Sequence, residues 1–115
     1  MALEQVEYQG VVYDITAHGL ISPVYRQRNE KYEIWDLDKE IPESEVEHCM
    51  AWIRQYTTPR KTINYKNSSY DLRHDVGRWA GEYVSNGAFI LAAKRLGIEM
   101  SPDSPNACFC LNYAK

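Results

Sequence analysis

Apolar residues recur along this chain with two periods, and the change falls near Pro42. In VVYDI, Val11, Tyr13 and Ile15 alternate with Val12 and Asp14, the spacing of a half-buried strand. KYEIWDL repeats the alternation, with Tyr32, Ile34 and Trp35 supplying apolar surface. Between them, LISPVY surrounds Pro23 and reads as a short edge strand or a loop, since proline cannot donate to a ladder. A small antiparallel sheet or a long hairpin is the economical expectation for this third of the chain.

After Pro42 the period becomes helical. In PESEVEHCMAWIRQY, Val46, Cys49 or Met50, Ile53 and Tyr56 fall on one stripe, and Pro42, Glu43, Glu45 and Glu47 occupy the first turns, where the helix dipole favours negative charge. TTPRKTINYKNSS then has no consistent period and reads as a basic connector with a short extended piece. A second helix starts at Ser68 or Ser69 and stripes Leu72, Val76, Trp79 or Ala80, and Tyr83. Gly77 and Gly81 remove bulk from one side of it, so another segment is expected to pack close there. A third helix takes Asn86 as its cap, buries Phe89, Ile90, Ala93 and Leu96, and closes at Gly97. CFCLNY alternates Phe109, Leu111 and Tyr113, which suits a final strand added to the sheet.

The expected fold class is therefore α+β: a small antiparallel sheet of N-terminal strands, joined by a C-terminal strand, packed with about three helices. At 115 residues the chain is expected to form one domain, 1–115, with an acidic strand-rich part (1–41), a helical part (42–98) and a C-terminal turn and strand (99–115). A hydrophobic content of 44% excludes a disordered chain. Nine tyrosines and three tryptophans are many for this length, and such residues serve both core boundaries and interfaces. No apolar run is long enough to span a membrane, and MALEQVEYQG lacks the basic-then-apolar pattern of a signal peptide, so a cytoplasmic protein is expected. Cys49, Cys108 and Cys110 are an odd number and read as reduced thiols used as small hydrophobes.

Charge is unevenly placed. Residues 1–56 hold 5 Lys/Arg against 11 Asp/Glu, whereas 57–115 hold 8 against 5. Between Glu30 and Glu47 there are 8 acids and only Lys31 and Lys39 to balance them. One reading is a solvated face that maintains solubility; the other is an acidic surface that docks on a basic partner.

Candidate chemistry is sparse. Ala93, Leu96, Gly97 and Ile98 match the turn of a helix-turn-helix DNA reader, but EMSPDSPNA carries Pro102 and Pro105 where the recognition helix should run. The alternative frame, with Gly87 as the turn, places bulky Tyr83 where a small residue belongs. For nucleophilic catalysis, Ser68, Ser69 and His74 are neighbours flanked by Asp71 and Asp75, yet Ser69 and His74 are poorly spaced on a helix. Cys-x-Cys with an adjacent His48-Cys49 does not follow zinc-ligand spacing. No enzyme activity, metal or cofactor is expected.

The segment NSSYDLRHDVGRWAGEYVSNGAFILAAKRLGI…SPNACF resembles short proteins encoded by bacteriophages and prophages, through S-S-Y-x-L-x-H, then Y-V/I-x-N-G-x-F-I-x-A-A, then P-N-A-x-F. The resemblance covers residues 67–109 and brings no catalytic role with it. It implies a host-interaction factor, with anti-CRISPR proteins as the best-studied class of that physical type. On that basis an acidic face of Asp36, Asp38, Glu40, Glu43, Glu45 and Glu47 is expected to cover a basic nucleic-acid channel of a host defence protein such as a CRISPR effector. Charge reversal at Glu43, Glu45 and Glu47 is expected to abolish inhibition and spare the fold. The rival expectation is a phage nucleic-acid-binding accessory protein that uses Arg60, Lys61, Lys66, Tyr70, Arg73 and Arg78 on phosphates.

Overall fold

The computed structural model describes residues 4–29 and 40–113. Strands β1 (Gln5–Tyr8), β2 (Val11–Thr16) and β3 (Gly19–Ile21) form one antiparallel sheet in that order. Tyr8 pairs with Val11 across Gln9-Gly10, and both turn residues have positive φ, as a tight two-residue hairpin requires. LISPVY divides at Ser22: β3 ends, and Pro23 opens helix α1 (Pro23–Asn29) at a position where its missing N–H costs nothing. The strand expected over KYEIWDL lies outside the described residues, as do Asp36 and Asp38.

Helix α2 (Glu43–Tyr56) follows Pro42 and buries Val46, Cys49, Trp52 and Ile53, close to the expected stripe. The basic connector is a strand, β4 (Thr57–Asn64), and the C-terminal strand β6 (Asn106–Tyr113) pairs with it and with β5 (Met100–Asp103). The expected single sheet is therefore two: the second runs β4-β6-β5 and takes no strand from the first. The connector escapes periodicity because residues 58–62 of β4 are all exposed, so it has no alternating apolar face to display. As the two prolines imply, residues after Gly97 enter the β5–β6 hairpin instead of a recognition helix.

Helix α3 (Ser69–Ala80) is capped by Ser68, whose backbone N–H donates to Asp71 Oδ2 at 3.1 Å, and buries Leu72 and Val76. Its end explains both glycines. Gly81 takes the left-handed conformation that closes the helix, and a Cβ on Gly77 would meet the Glu82 carbonyl at 3.0 Å. The bulk missing at this end makes room for the chain's own turn, not for a separate segment. Helix α4 (Asn86–Arg95) is the centre of the fold: Asn86 through Ala93 are all buried. NGAFILAA is small or apolar on nearly every side, so it needs cover all round, and α2, α3, β2 and β3 supply it. Phe89 anchors the core, its ring centroid 6.0 Å from that of Trp52 and 5.2 Å from that of Phe109.

The expected cap of α4 is displaced by one residue. Ser85 is the cap, its Oγ accepting the Ala88 N–H at 3.2 Å, while Asn86 is the first helical residue and is only 6% exposed. This start is pressed against the β2–β3 turn so tightly that a Cβ on Gly87 would lie 1.6 Å from the Thr16 carbonyl oxygen. Gly87→Ala must push main chain away from main chain, and a loss of about 3 kcal/mol or more of unfolding free energy is expected. Urea denaturation measures it, and a near-neutral substitution would contradict the close approach.

Candidate functional site

Two turns distant in sequence, β2–β3 and β5–β6, meet at the N-terminus of α4. Asn86 Nδ2 donates to the His18 carbonyl (3.1 Å), the Pro105 carbonyl (3.2 Å) and Asn106 Oδ1 (3.0 Å). Gly87 N–H donates to the Ala17 carbonyl at 3.2 Å, and Leu20 N–H to the Pro105 carbonyl at 2.8 Å. The node reaches α3 as well, because the buried Ser69 Oγ accepts the Ala107 N–H at 3.0 Å. Two main-chain carbonyls face the Asn86 amide, so its NH2 must point at them and its oxygen must point elsewhere. Asn86 Oδ1 is buried and has no hydrogen-bond partner among the described residues.

Beside this node lies a cleft of about 460 Å³ lined by His18, Tyr70, Arg73, Tyr83, Asn86 and Asn106, among others. Arg73 is held over the rings, its guanidinium carbon 4.6 Å from the Tyr70 centroid and 5.7 Å from that of Tyr83. One nitrogen, Nη1, donates to the Val84 carbonyl at 3.2 Å, whereas Nε is buried without a partner among the described residues. His18 Nε2 lies 2.7 Å from the Tyr25 hydroxyl of α1. Tyr83, expected in the buried stripe of α3, leaves that stripe because Gly81 ends the helix, and it stands 66% exposed at the cleft.

The second concentration of basic residues is on β4. Pro59 pairs with Leu111 and Asn64 with Phe109, so the four residues Arg60–Ile63 lie opposite the single residue Cys110. This wide bulge is pinned at both ends: Asn112 Nδ2 donates to the Pro59 carbonyl (3.4 Å) and Asn64 Nδ2 to the Leu111 carbonyl (3.1 Å). It carries Arg60 and Lys61 into solvent at the sheet edge, and a concavity of about 770 Å³ joins Arg60 to Tyr65 and Lys66. Tyr65 is 71% exposed. No carboxylate lies within ion-pair distance of Arg60, Lys61 or Lys66 among the described residues. Of the six basic-side residues singled out from sequence, the fold thus groups Arg60, Lys61 and Lys66 at the bulge and Tyr70 and Arg73 at the cleft. Arg78 sits farther along α3 and is paired with Asp75.

The acidic residues fare differently. Both oxygens of Glu43 accept from Arg95 at 2.7 Å, and Arg95 also donates to Glu4 at 3.0 Å. Glu45 Oε1 accepts the Ser85 N–H at 2.8 Å, which ties α2 to the start of α4. Only Glu40 and Glu47 remain exposed without an internal partner among the described acids of this stretch. Reversing Glu43, Glu45 and Glu47 together would therefore break contacts inside the fold, contrary to the expectation that it spares the fold. Burial pushes the Cys49 thiol far up, and burial also raises Cys108 and Cys110. Among the described residues no three His, Cys, Asp or Glu side chains gather as metal ligands, and no helix is long and apolar enough to cross a membrane. No protein-family profile, curated protein or solved structure matches the chain.

The Arg95 hydrogen bonds hold the Glu43 carboxyl below the usual glutamate range. A lowered folded-state pKa gives stability that is present above the unfolded-state value and lost as pH falls through the folded one. The effect is small because the pair is exposed. The Tm difference between wild type and Glu43→Gln is expected to close as the pH is lowered through the carboxylate range. A difference that stays constant with pH would contradict the pairing.

Proposed function

We propose that this chain is a non-catalytic nucleic-acid-binding protein whose working surface is its basic second half. The observation that carries this reading is the β4 bulge, which presents Arg60 and Lys61 with Lys66 and the exposed ring of Tyr65, with no carboxylate paired to these cations among the described residues. Unpaired cations on a protruding segment suit a phosphate backbone, and an exposed aromatic among them suits a stacked base. Net charge does not oppose this, because the excess of acids lies in residues 1–56. Fluorescence anisotropy with a labelled single-stranded oligonucleotide at two salt concentrations tests it. Affinity is expected to fall steeply with salt. Lys61→Glu with Lys66→Glu is expected to weaken binding and to lower the salt slope by roughly one for each phosphate left without its lysine. Binding that ignores both salt and the double charge reversal would contradict the reading.

A second reading is favoured by a different observation, the 8 acids between residues 30 and 47. In it the chain is an anti-CRISPR-like phage inhibitor that covers a basic channel of a host defence protein in the bacterial cytoplasm. Its variant is Glu40→Lys with Glu47→Lys, which leaves the Arg95 and Ser85 contacts intact. Loss of inhibition of a CRISPR effector in that variant, with oligonucleotide binding absent in wild type, is the result this second reading expects. Unchanged inhibition would contradict it.

A further inference from the structure

The outer face of β6 carries two thiols that the nucleic-acid reading leaves unused. Along this strand Ala107, Phe109 and Leu111 are buried, so Cys108 and Cys110 share the opposite face, where both are partly exposed. β6 is the middle strand of its sheet, and its register with β5 sets Ser101 opposite Cys108 and Met100 opposite Phe109. The Cys110 N–H donates to the Glu99 carbonyl at 3.0 Å, which continues that register by one residue. Glu99 therefore lies across from Cys110, whose thiol makes a long contact of 4.0 Å with Glu99 Oε2. The third thiol, Cys49, is fully buried in α2 and stands apart from this pair.

Two residues along a strand advance roughly 6.7 Å, and Cβ atoms on one face keep about that separation. A disulfide needs Cβ atoms about 4 Å apart, so the extended backbone bars one between Cys108 and Cys110. An atom set between the two sulfurs removes the conflict. Two metal–sulfur bonds of about 2.3 Å hold sulfurs up to about 4.6 Å apart, more than twice the S–S bond length, and so bridge the pair without bending the strand. The donor set then selects the ion. Zinc seeks four ligands, and among the described residues no group of three His, Cys, Asp or Glu side chains comes together to begin such a site. Copper(I) is soft, favours thiolates over carboxylates, and accepts two sulfurs in line with no further ligand.

We propose that Cys108 and Cys110 form a two-coordinate copper(I) site on the outer face of β6. Each thiol releases its proton to solvent as its Cu–S bond forms, and the metal keeps its oxidation state throughout.

The test is an anaerobic titration of the reduced full chain with copper(I) against bathocuproine disulfonate, a coloured competitor for that ion. The wild type is expected to withhold one equivalent of copper from the competitor. Because copper(I) is diamagnetic, NMR locates the ion, and shifts are expected at Cys108, Cys110, Glu99 and Ser101. Cys108→Ser and Cys110→Ser are each expected to lose the retained equivalent at unchanged Tm, since neither side chain faces the core. Copper left wholly with the competitor in wild type would overturn the site, as would full retention by either serine variant. Half an equivalent, held by two chains that elute together as a dimer, would overturn a bridge within one chain. Zinc(II) held by both thiols at one equivalent would overturn the two-coordinate assignment. If a serine variant loses stability, the wild-type shifts decide alone, and shifts centred on Cys49 and α2 would contradict the proposal.

Discussion

One primary amide at the start of the central helix holds two distant turns in place through three acceptors. The acceptors at His18 and Pro105 lie in turns, and the third, Asn106, opens β6; turns have few other means of fixing their position against a core. The first turn of α4 also brings Gly87 against the Thr16 carbonyl, an approach that any Cβ would prevent. Once the β2–β3 turn and the β5–β6 turn are tied to α4, the walls of the adjoining cleft follow. His18 comes with the first turn, Asn106 with the second, and Tyr70 and Arg73 with α3, whose Ser69 is bonded to β6.

The same fold sorts the charges. On the acidic side, the two glutamates nearest the start of α2 are used internally, Glu43 by Arg95 and Glu45 by the main chain at Ser85. On the basic side, a bulge of four residues opposite one lifts Arg60 and Lys61 off the sheet, and Lys66 follows in the next turn. Exposed charges without internal partners stay available for steering and contact with a charged ligand. A count along the chain points to the acidic stretch, whereas the described contacts point to the basic one.

Much of this architecture is written in the spacing of apolar residues. VVYDI is a strand as its spacing predicts, although burial rises along β2 from exposed Val11 and Val12 to buried Ile15 and Thr16 instead of alternating, and the α2 stripe of Val46, Cys49 and Ile53 is buried as its period requires. The α+β class, the three long helices and the final strand all follow from such patterns. What the spacing does not carry is β4, which is exposed over most of its length, and the division into two sheets. Nor does it carry the site. Asn86 is a residue type equally suited to capping, and only the position of Ser85 one residue earlier frees it to act as a tether. Tyr83 continues a helical period past the point where Gly81 has ended the helix. Pro105 and Asn106 look like an ordinary turn until the Asn86 amide is placed beside them.

Hydrogen exchange with and without a single-stranded oligonucleotide tests the choice of working surface most directly. The amides of Arg60, Lys61, Thr62 and Ile63 lie outside the regular ladder, so they are expected to exchange fast in the free protein and to report contact without needing a variant. Slowed exchange over residues 60–66 and around Tyr70 and Tyr83 is the predicted footprint. A footprint confined to residues 40–47, or none at all, would contradict a basic surface that binds nucleic acid.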